Sequence, residues 1–218
     1  TRYTHMAALV TAFEWGRLKM QASVLGYFVH EKVERFEARP DKAVATPAFF
    51  GSFKVLKNHD LSVRAFYKRM FRMPTFNDLY YTDMGNAFLK PEYAEQFNVG
   101  LKYTRNFEKS PFMRMLDVSV DAYYNKITDK IIAYPKGQQF RWTMLNLGEV
   151  EIKGVDAVLN ALFTLGKLEV TTKFQYTYQK AIDITDPADT YYRDQIPYIP
   201  WHSGSAIVQA TWRSWSLN

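Results

Sequence analysis

The chain has 218 residues, of which 17% are aromatic, 47% apolar and 23% charged, with a net charge of +6 and no cysteine. The length suits one domain, and the lack of any run of eighteen apolar residues excludes a transmembrane helix while leaving membrane-crossing strands open. The missing cysteines exclude disulfides and thiolate chemistry, and basic residues interleaved with acids, as in Lys32-Val33-Glu34-Arg35-Phe36-Glu37, form no stripe of the kind that binds nucleic acid.

Alternation with period two recurs in nine stretches. In chain order, weaker versions cover roughly 5–13, 17–29, 45–56 and 61–71. Phe97, Val99, Leu101 and Tyr103 then alternate with Gln96, Asn98, Gly100 and Lys102. Leu116, Val118, Val120, Ala122 and Tyr124 alternate with Asp117, Ser119, Asp121 and Asn125. Another weak stretch covers roughly 154–163. Leu168, Val170, Thr172, Phe174 and Tyr176 follow, set against Glu169, Thr171, Lys173 and Gln175, and a last stretch covers roughly 203–213. Successive strand side chains point to opposite faces, so each stretch predicts one apolar and one wet face.

The connectors alternate too. Glu14 to Gly16, Lys57 to Asp60, Phe107 to Pro111 and Thr164 to Gly166 are short enough for hairpins. Between them, 30–44, 72–94, 126–153 and 180–202 are long and rich in Pro, Asp, Tyr and Arg. Short turns at one end and long loops at the other predict an all-β fold, an antiparallel transmembrane β-barrel. Odd-numbered strands then run toward the periplasm.

Charges obey the same geometry. Arg114 and Lys126 bracket five uncharged positions on one apolar face, Lys180 closes the face beginning at Leu168, Arg105 follows Tyr103, and Lys153 precedes Val155. Nine residues at about 3.3 Å each, tilted by about 40°, rise roughly 20 Å, close to the height of a lipid-facing band. Phe28, Tyr103, Tyr124, Phe163, Tyr178 and Trp212 fall where an aromatic girdle is expected. Facing inward would be Lys19, Gln21, Arg64, Asn98, Lys102, Asp121, Asp156, Asn160, Lys173 and Gln209. Nine strands and the opening of a tenth, at Trp212 to Asn218, read as an internal segment of a larger barrel.

No catalytic or metal-binding pattern emerges. His5, His30, His59 and His202 are far apart, and there is no phosphate loop or nucleophile elbow. Asp117 and Asp121, on one strand face, would stand about 13 Å apart, too far for paired acids. No cofactor and no enzymatic activity are expected.

One continuous pattern carries a resemblance. Arg72, Pro74, Thr75, Phe76, Leu79 and Tyr80 lead to Gly85, Asn86, Leu89, Lys90, Pro91 and Glu92, then to Glu95, Gly100 and Leu101. Tyr124 to Ile131, Asn146-Leu147-Gly148, Lys153-Gly154-Val155-Asp156 and Pro200-Trp201-His202 follow in order. This closely resembles the barrel of TonB-dependent outer-membrane receptors, with Asp156 where that family commonly has Glu and Ala87 where it commonly has Pro.

The resemblance implies a barrel of about 22 strands, of which nine to ten are present here, with the plug domain absent from residues 1–218. It implies an outer-membrane transporter of a Gram-negative bacterium, of the single-chain siderophore, haem or cobalamin type. Such a protein captures a scarce nutrient at its outer loops and imports it with energy from TonB, which acts through the plug. Membrane lipid and lipopolysaccharide would be further partners, and nucleic acid would not. Loop residues Tyr80, Tyr81, Tyr93, Arg141, Trp142, Tyr191, Tyr192 and Arg193, with Tyr134 and Phe140, are the expected ligand-facing set, since aromatics stack on and arginines pair with such cargo. The alternative is a small β-barrel or β-sandwich that binds carbohydrate or a protein through the same loops. It predicts charged mid-strand residues on both faces of at least some edge strands.

The motif residues themselves suit structural work. Pro74 and Pro91 fix the backbone where strands leave the membrane, Gly85-Asn86 signals a turn, and Glu92 and Glu95 are placed to pair with Arg69 or Arg72. Gly100 and Gly154, on the inward face, are expected to leave room for a plug or a neighbouring chain.

Overall fold

The computed structural model describes residues 1–32, 40–56, 60–136 and 141–217. The expected connectors at 30–44, 57–60 and 126–153 therefore lie partly outside the described residues, as do His59, Phe140 and most of the interleaved charge run at 32–37. No described helix is long and apolar enough to cross a membrane.

Ten strands form one antiparallel sheet in simple sequence order. They are β1 (Arg2–Trp15), β2 (Leu18–Glu31), β3 (Lys42–Lys54), β4 (Asp60–Arg72), β5 (Glu92–Asn106), β6 (Met113–Lys136), β7 (Arg141–Leu165), β8 (Leu168–Asp183), β9 (His202–Trp212) and β10 (Trp215–Leu217). β1 and β10 are the two edges of this open wall.

Two of the tight turns follow from glycine, whereas the turn between β9 and β10 places Arg213 at φ of +53°. Trp15 pairs Leu18 and Leu165 pairs Leu168, leaving two-residue loops whose first positions, Gly16 and Gly166, have φ of +57° and +63°. Only glycine adopts that geometry without steric cost, and it sets the hairpin twist.

Register sorts the side chains into rows. Ala65, Val99, Ala122, Val155 and Tyr178 are successive cross-strand partners on one face. One residue along each strand, Arg64, Gly100, Asp121, Asp156 and Thr177 form the matching row on the other. The apolar face is uncovered: Val99 is 58% exposed and Leu101 52%. In water such a surface is a liability, whereas against lipid it needs no further cover.

Burial concentrates at the long-loop end. Ala94, Ile127, Val150, Ile152 and Ala181 meet Ile196 of the β8–β9 connector, and a second cluster joins Leu79, Leu89 and Ile131.

Two features differ from the sequence reading. The stretch 126–153 is not a long loop, because β6 and β7 continue as a paired hairpin as far as Lys136 and Arg141. Asp129, with φ of +54°, is left unpaired between Thr128↔Glu149 and Lys130↔Leu147, but the register is the same on both sides of it and Ile127 and Ile131 are both buried. The sequence instead loses its apolar/polar alternation in the consecutive Ile131-Ile132-Ala133-Tyr134. The β4–β5 connector also holds a five-residue helix, α1 (Phe76–Tyr80). A capping box starts it: the Asp78 N–H donates to Thr75 Oγ1 at 3.1 Å and the Thr75 N–H donates to Asp78 Oδ2 at 2.9 Å.

Candidate ligand-facing rim and barrel interior

The polar face is internally bonded. Arg64 grips both carboxylate oxygens of Asp121, one through Nε at 3.0 Å. Asp117 accepts from Thr104 Oγ1 at 2.7 Å and Asn160 Nδ2 at 3.1 Å, with the Lys102 ammonium 3.4 Å away. Thr177 donates to Asp156 at 2.7 Å, and Lys19 pairs Glu14 at 3.1 Å. Asp117 and Asp121 thus serve separate networks, as wall residues would. Gln21, Asn98, Lys173 and Gln209 share this face by register, and Asn98 Oδ1 is buried without a donor.

The two inward glycines do a different job from the one expected. A Cβ at Gly100 would overlap the Asp121 carboxylate and crowd Arg64 Nε at 3.1 Å. One at Gly154 would overlap the tip of the Tyr123 ring and come within 2.5 Å of the Tyr178 carbonyl. Side chains of neighbouring strands already occupy the space beside them, so the glycines seat an ion pair and a ring.

At the long-loop end, the motif residues build a clasp. Asn146 of β7 donates to the Lys90 carbonyl at 3.1 Å and the Asp129 carbonyl at 2.7 Å, and its oxygen accepts from the Lys90 N–H at 2.8 Å. Asn86 Nδ2 donates to the Met144 carbonyl at 3.0 Å. Glu92 accepts from Arg72 at 3.2 Å, the partner expected for it, and from the Ile131 N–H at 3.0 Å. Gly85 sits where a methyl would lie 2.6 Å from the Tyr81 nitrogen and 2.8 Å from the Leu79 carbonyl, so backbone forbids any other residue. Arg2 adds a strut, with Nε on Glu31 at 2.7 Å, Nη2 on the Pro74 carbonyl at 2.8 Å and its guanidinium over the Phe76 ring. Arg69 and Glu95 face each other in register, but Arg69 lies over the Tyr93 ring at 5.5 Å.

The expected ligand-facing residues divide into groups. Tyr80 and Tyr81 are exposed on the β4–β5 connector, and Tyr80 stacks on Phe76 at 6.2 Å. Trp142 meets Tyr198 at 6.3 Å, bringing the β6–β7 hairpin against the β8–β9 connector. Tyr191 is 69% exposed, Tyr192 half-buried, and Arg193 exposed with φ of +69°. Tyr93 stands apart on the apolar face against Phe71, in a belt that continues through Tyr67, Phe97 and Tyr124. The side chain of Arg141 lies outside the described residues. Tyr198, 85% exposed, is the partner of Trp142 and was not singled out in the sequence, where it lies between two prolines without a pattern to mark it. No group of three or more potential metal ligands occurs among the described residues.

Comparison with known proteins places this geometry. The vitamin B12 transporter BtuB of Vibrio vulnificus is 34% identical over 99 residues, covering 45% of this chain and 14% of BtuB. BtuB of Photobacterium profundum is 34% identical over 113 residues, 49% of this chain and 16% of that protein. The chain therefore spans well under a fifth of these relatives. Among solved structures, the copper transporter OprC superimposes with a TM-score of 0.66 at 17% identity over 99% of this chain and 33% of its own. The FrpB iron transporter of Neisseria meningitidis gives 0.63 at 13% identity, over 98% and 31%. These two are likenesses of fold. The sequence profile of the family described as TonB dependent receptor-like, beta-barrel, matches residues 14–218, and this chain belongs to that family.

Proposed function

We propose that residues 1–218 form part of the barrel of an outer-membrane active transporter that takes up a scarce nutrient with energy delivered by TonB. Members of the family are outer-membrane β-barrel proteins of Gram-negative bacteria. The observation that carries the reading is the two-faced wall, apolar and uncovered on one side and bonded through charged networks on the other. The soluble alternative predicted mid-strand charges on both faces of some edge strands, and the middle of the edge strand β1, from Met6 to Phe13, carries none.

The ligand-facing surface in this reading is the rim where Trp142 and Tyr198 meet, with Tyr80, Tyr81, Tyr191, Tyr192 and Arg193 around it. Exposed rings and guanidinium groups suit a large planar or chelated cargo such as a corrinoid, haem or ferric siderophore, and the BtuB likeness puts the corrinoid first. Capture and release require no covalent chemistry here.

Uptake tests this directly. Cells making the intact protein should accumulate labelled cobalamin, haem or ferric siderophore only when TonB is present, and Trp142→Ala with Tyr198→Ala should weaken binding of the accepted cargo. Accumulation independent of TonB, or of none of these cargoes, would sink the reading.

A further inference from the structure

At the short-turn end, the inward face of β2 to β5 carries an open recess of about 310 Å³, lined by Arg17, Lys19, Lys54 and Lys102 together with Ser52 and Ser62. Register explains the gathering. Lys19 faces Ser52, Lys54 faces Ser62, and Ser62 in turn faces Lys102, so three lysines surround two serines on adjacent rows of one face. Lys19 and Lys54 are diagonal neighbours, about 7–8 Å apart at the backbone, and Lys102 lies two strands from Lys54, roughly 10 Å away. Flexible four-carbon stems let ammonium groups so placed reach one small anion.

The cations are anchored at the edges of the recess and keep donors free. Glu14 holds Lys19 at 3.1 Å, Asp117 holds Lys102 at 3.4 Å, and Asp60 pairs Lys54. An ammonium carries three N–H donors, so one carboxylate apiece leaves each lysine with donors to spare. Arg17 donates to the Val55 carbonyl at 3.1 Å, and its own carbonyl accepts from the Lys54 N–H at 3.0 Å, which fixes the β1–β2 turn beside the end of β3. Four cations against three carboxylates leave one positive charge. The Ser52 and Ser62 hydroxyls have no hydrogen-bond partner among the described residues. Farther along the Lys19–Ser52 row, Arg64 and Asp121 close on each other, whereas in the recess donors outnumber acceptors.

We infer that this recess is an exit-side binding site for the oxyanions, carboxylate or phosphate, of the transported nutrient. The inference rests on the transporter reading above and deepens it, since it gives the cargo anionic groups and a second resting place at the end of the lumen opposite the Trp142–Tyr198 rim. Oxyanions there accept from the free N–H groups of Lys19, Lys54 and Lys102 and from the two serine hydroxyls. The Lys19–Glu14 pair is exposed on both sides, contributes little by itself and yields readily to an incoming anion. An open, salt-screened site holds its anion briefly, which suits a point of release.

Intact protein purified from outer membranes is titrated with pyrophosphate, which carries paired phosphates and nothing else of a cargo, and binding is read by phosphorus NMR. Lys19→Gln with Lys54→Gln should weaken binding about tenfold, while Lys68→Gln with Lys173→Gln, also inward-facing by register and equal in charge, should not. Unaltered protein should bind methyl phosphate about tenfold more weakly than pyrophosphate, a comparison that needs no variant. In cells, the Lys19 and Lys54 double variant should capture the accepted cargo at the outer rim with unchanged Kd and import it about tenfold more slowly. No binding of pyrophosphate, equal binding of the two phosphates, equal weakening by both double variants, or an unchanged import rate would overturn the site while TonB-dependent uptake by the unaltered protein stands. Absence of that uptake would overturn the transporter reading and the exit role with it.

Discussion

The wall around Val120 and the clasp around Asn146 lie on the same strands, β6 and β7, yet they are held by different forces. In the wall, apolar side chains such as Val99, Leu101 and Val120 stay exposed, and order comes from the backbone ladder and the ion pairs behind it. In the clasp, Leu79, Leu89 and Ile131 are buried, and asparagine side chains bond the backbone of a neighbouring segment. The wall borrows its apolar partner from the bilayer. The clasp must supply its own, because it stands in water. Substitutions should therefore fail in opposite ways in the two regions.

The largest effect is expected where lipid is the partner. Val120→Arg places a cation near mid-height of the outward face, at a cost of about 2–4 kcal/mol. Folded, heat-modifiable protein should fall sharply in membranes, while the same substitution at an exposed rim position such as Tyr81 should leave it nearly unchanged. Equal tolerance at both positions would mean that the apolar face does not meet lipid. Next comes Gly154→Val, which drives two methyl groups into the Tyr123 ring and the Tyr178 carbonyl. Overpacking of this kind costs about 1–3 kcal/mol, and Tyr123→Ala should relieve part of it, a coupling that a double-mutant cycle on urea unfolding reads out.

Asn146→Ala acts on the clasp alone. It removes three hydrogen bonds, leaving the Lys90 N–H and two carbonyls to find water, for a local loss of about 1–3 kcal/mol. Barrel migration should stay normal while protease cuts the connector between β4 and β5 faster. Loss of the folded barrel in this variant would show the clasp and wall to be one cooperative unit.

The wall was legible in the sequence because lipid and lumen impose alternation at each step, from Phe97 to Tyr103 and from Leu116 to Asn125. The rim was legible only as a string of family residues. Their chemistry depends on partners far along the chain: Asn146 answers Lys90, and Arg2 answers Pro74 and Glu31, separations no local pattern records. The upper hairpin was hidden because Ile131-Ile132-Ala133-Tyr134 is a continuous apolar run in sequence, although the pairing register carries straight through it. The inward glycines showed the converse difficulty. Their smallness was plain, but only the register, which sets Gly100 against Asp121 and Gly154 against Tyr123, tells what fills the gap. The aromatic set was similarly mixed, because Tyr93 and Trp142 look alike in sequence and differ only in the face they occupy.

The smallest expected effect isolates local order within the clasp. Thr75 and Asp78 cap each other at the start of α1, and Thr75→Ala removes the hydroxyl acceptor, which costs about 1 kcal/mol. A helix of five residues has little else to hold it, since nucleation is unfavourable and only Leu79 is buried along its length. Amide exchange across Phe76 to Tyr80 should therefore quicken, with exchange in β6 and β7 unchanged. Thr75→Ser keeps the acceptor and should restore slow exchange. If alanine and serine behave alike, packing of Leu79 against Leu89 and Ile131, and not the cap, orders this part of the rim.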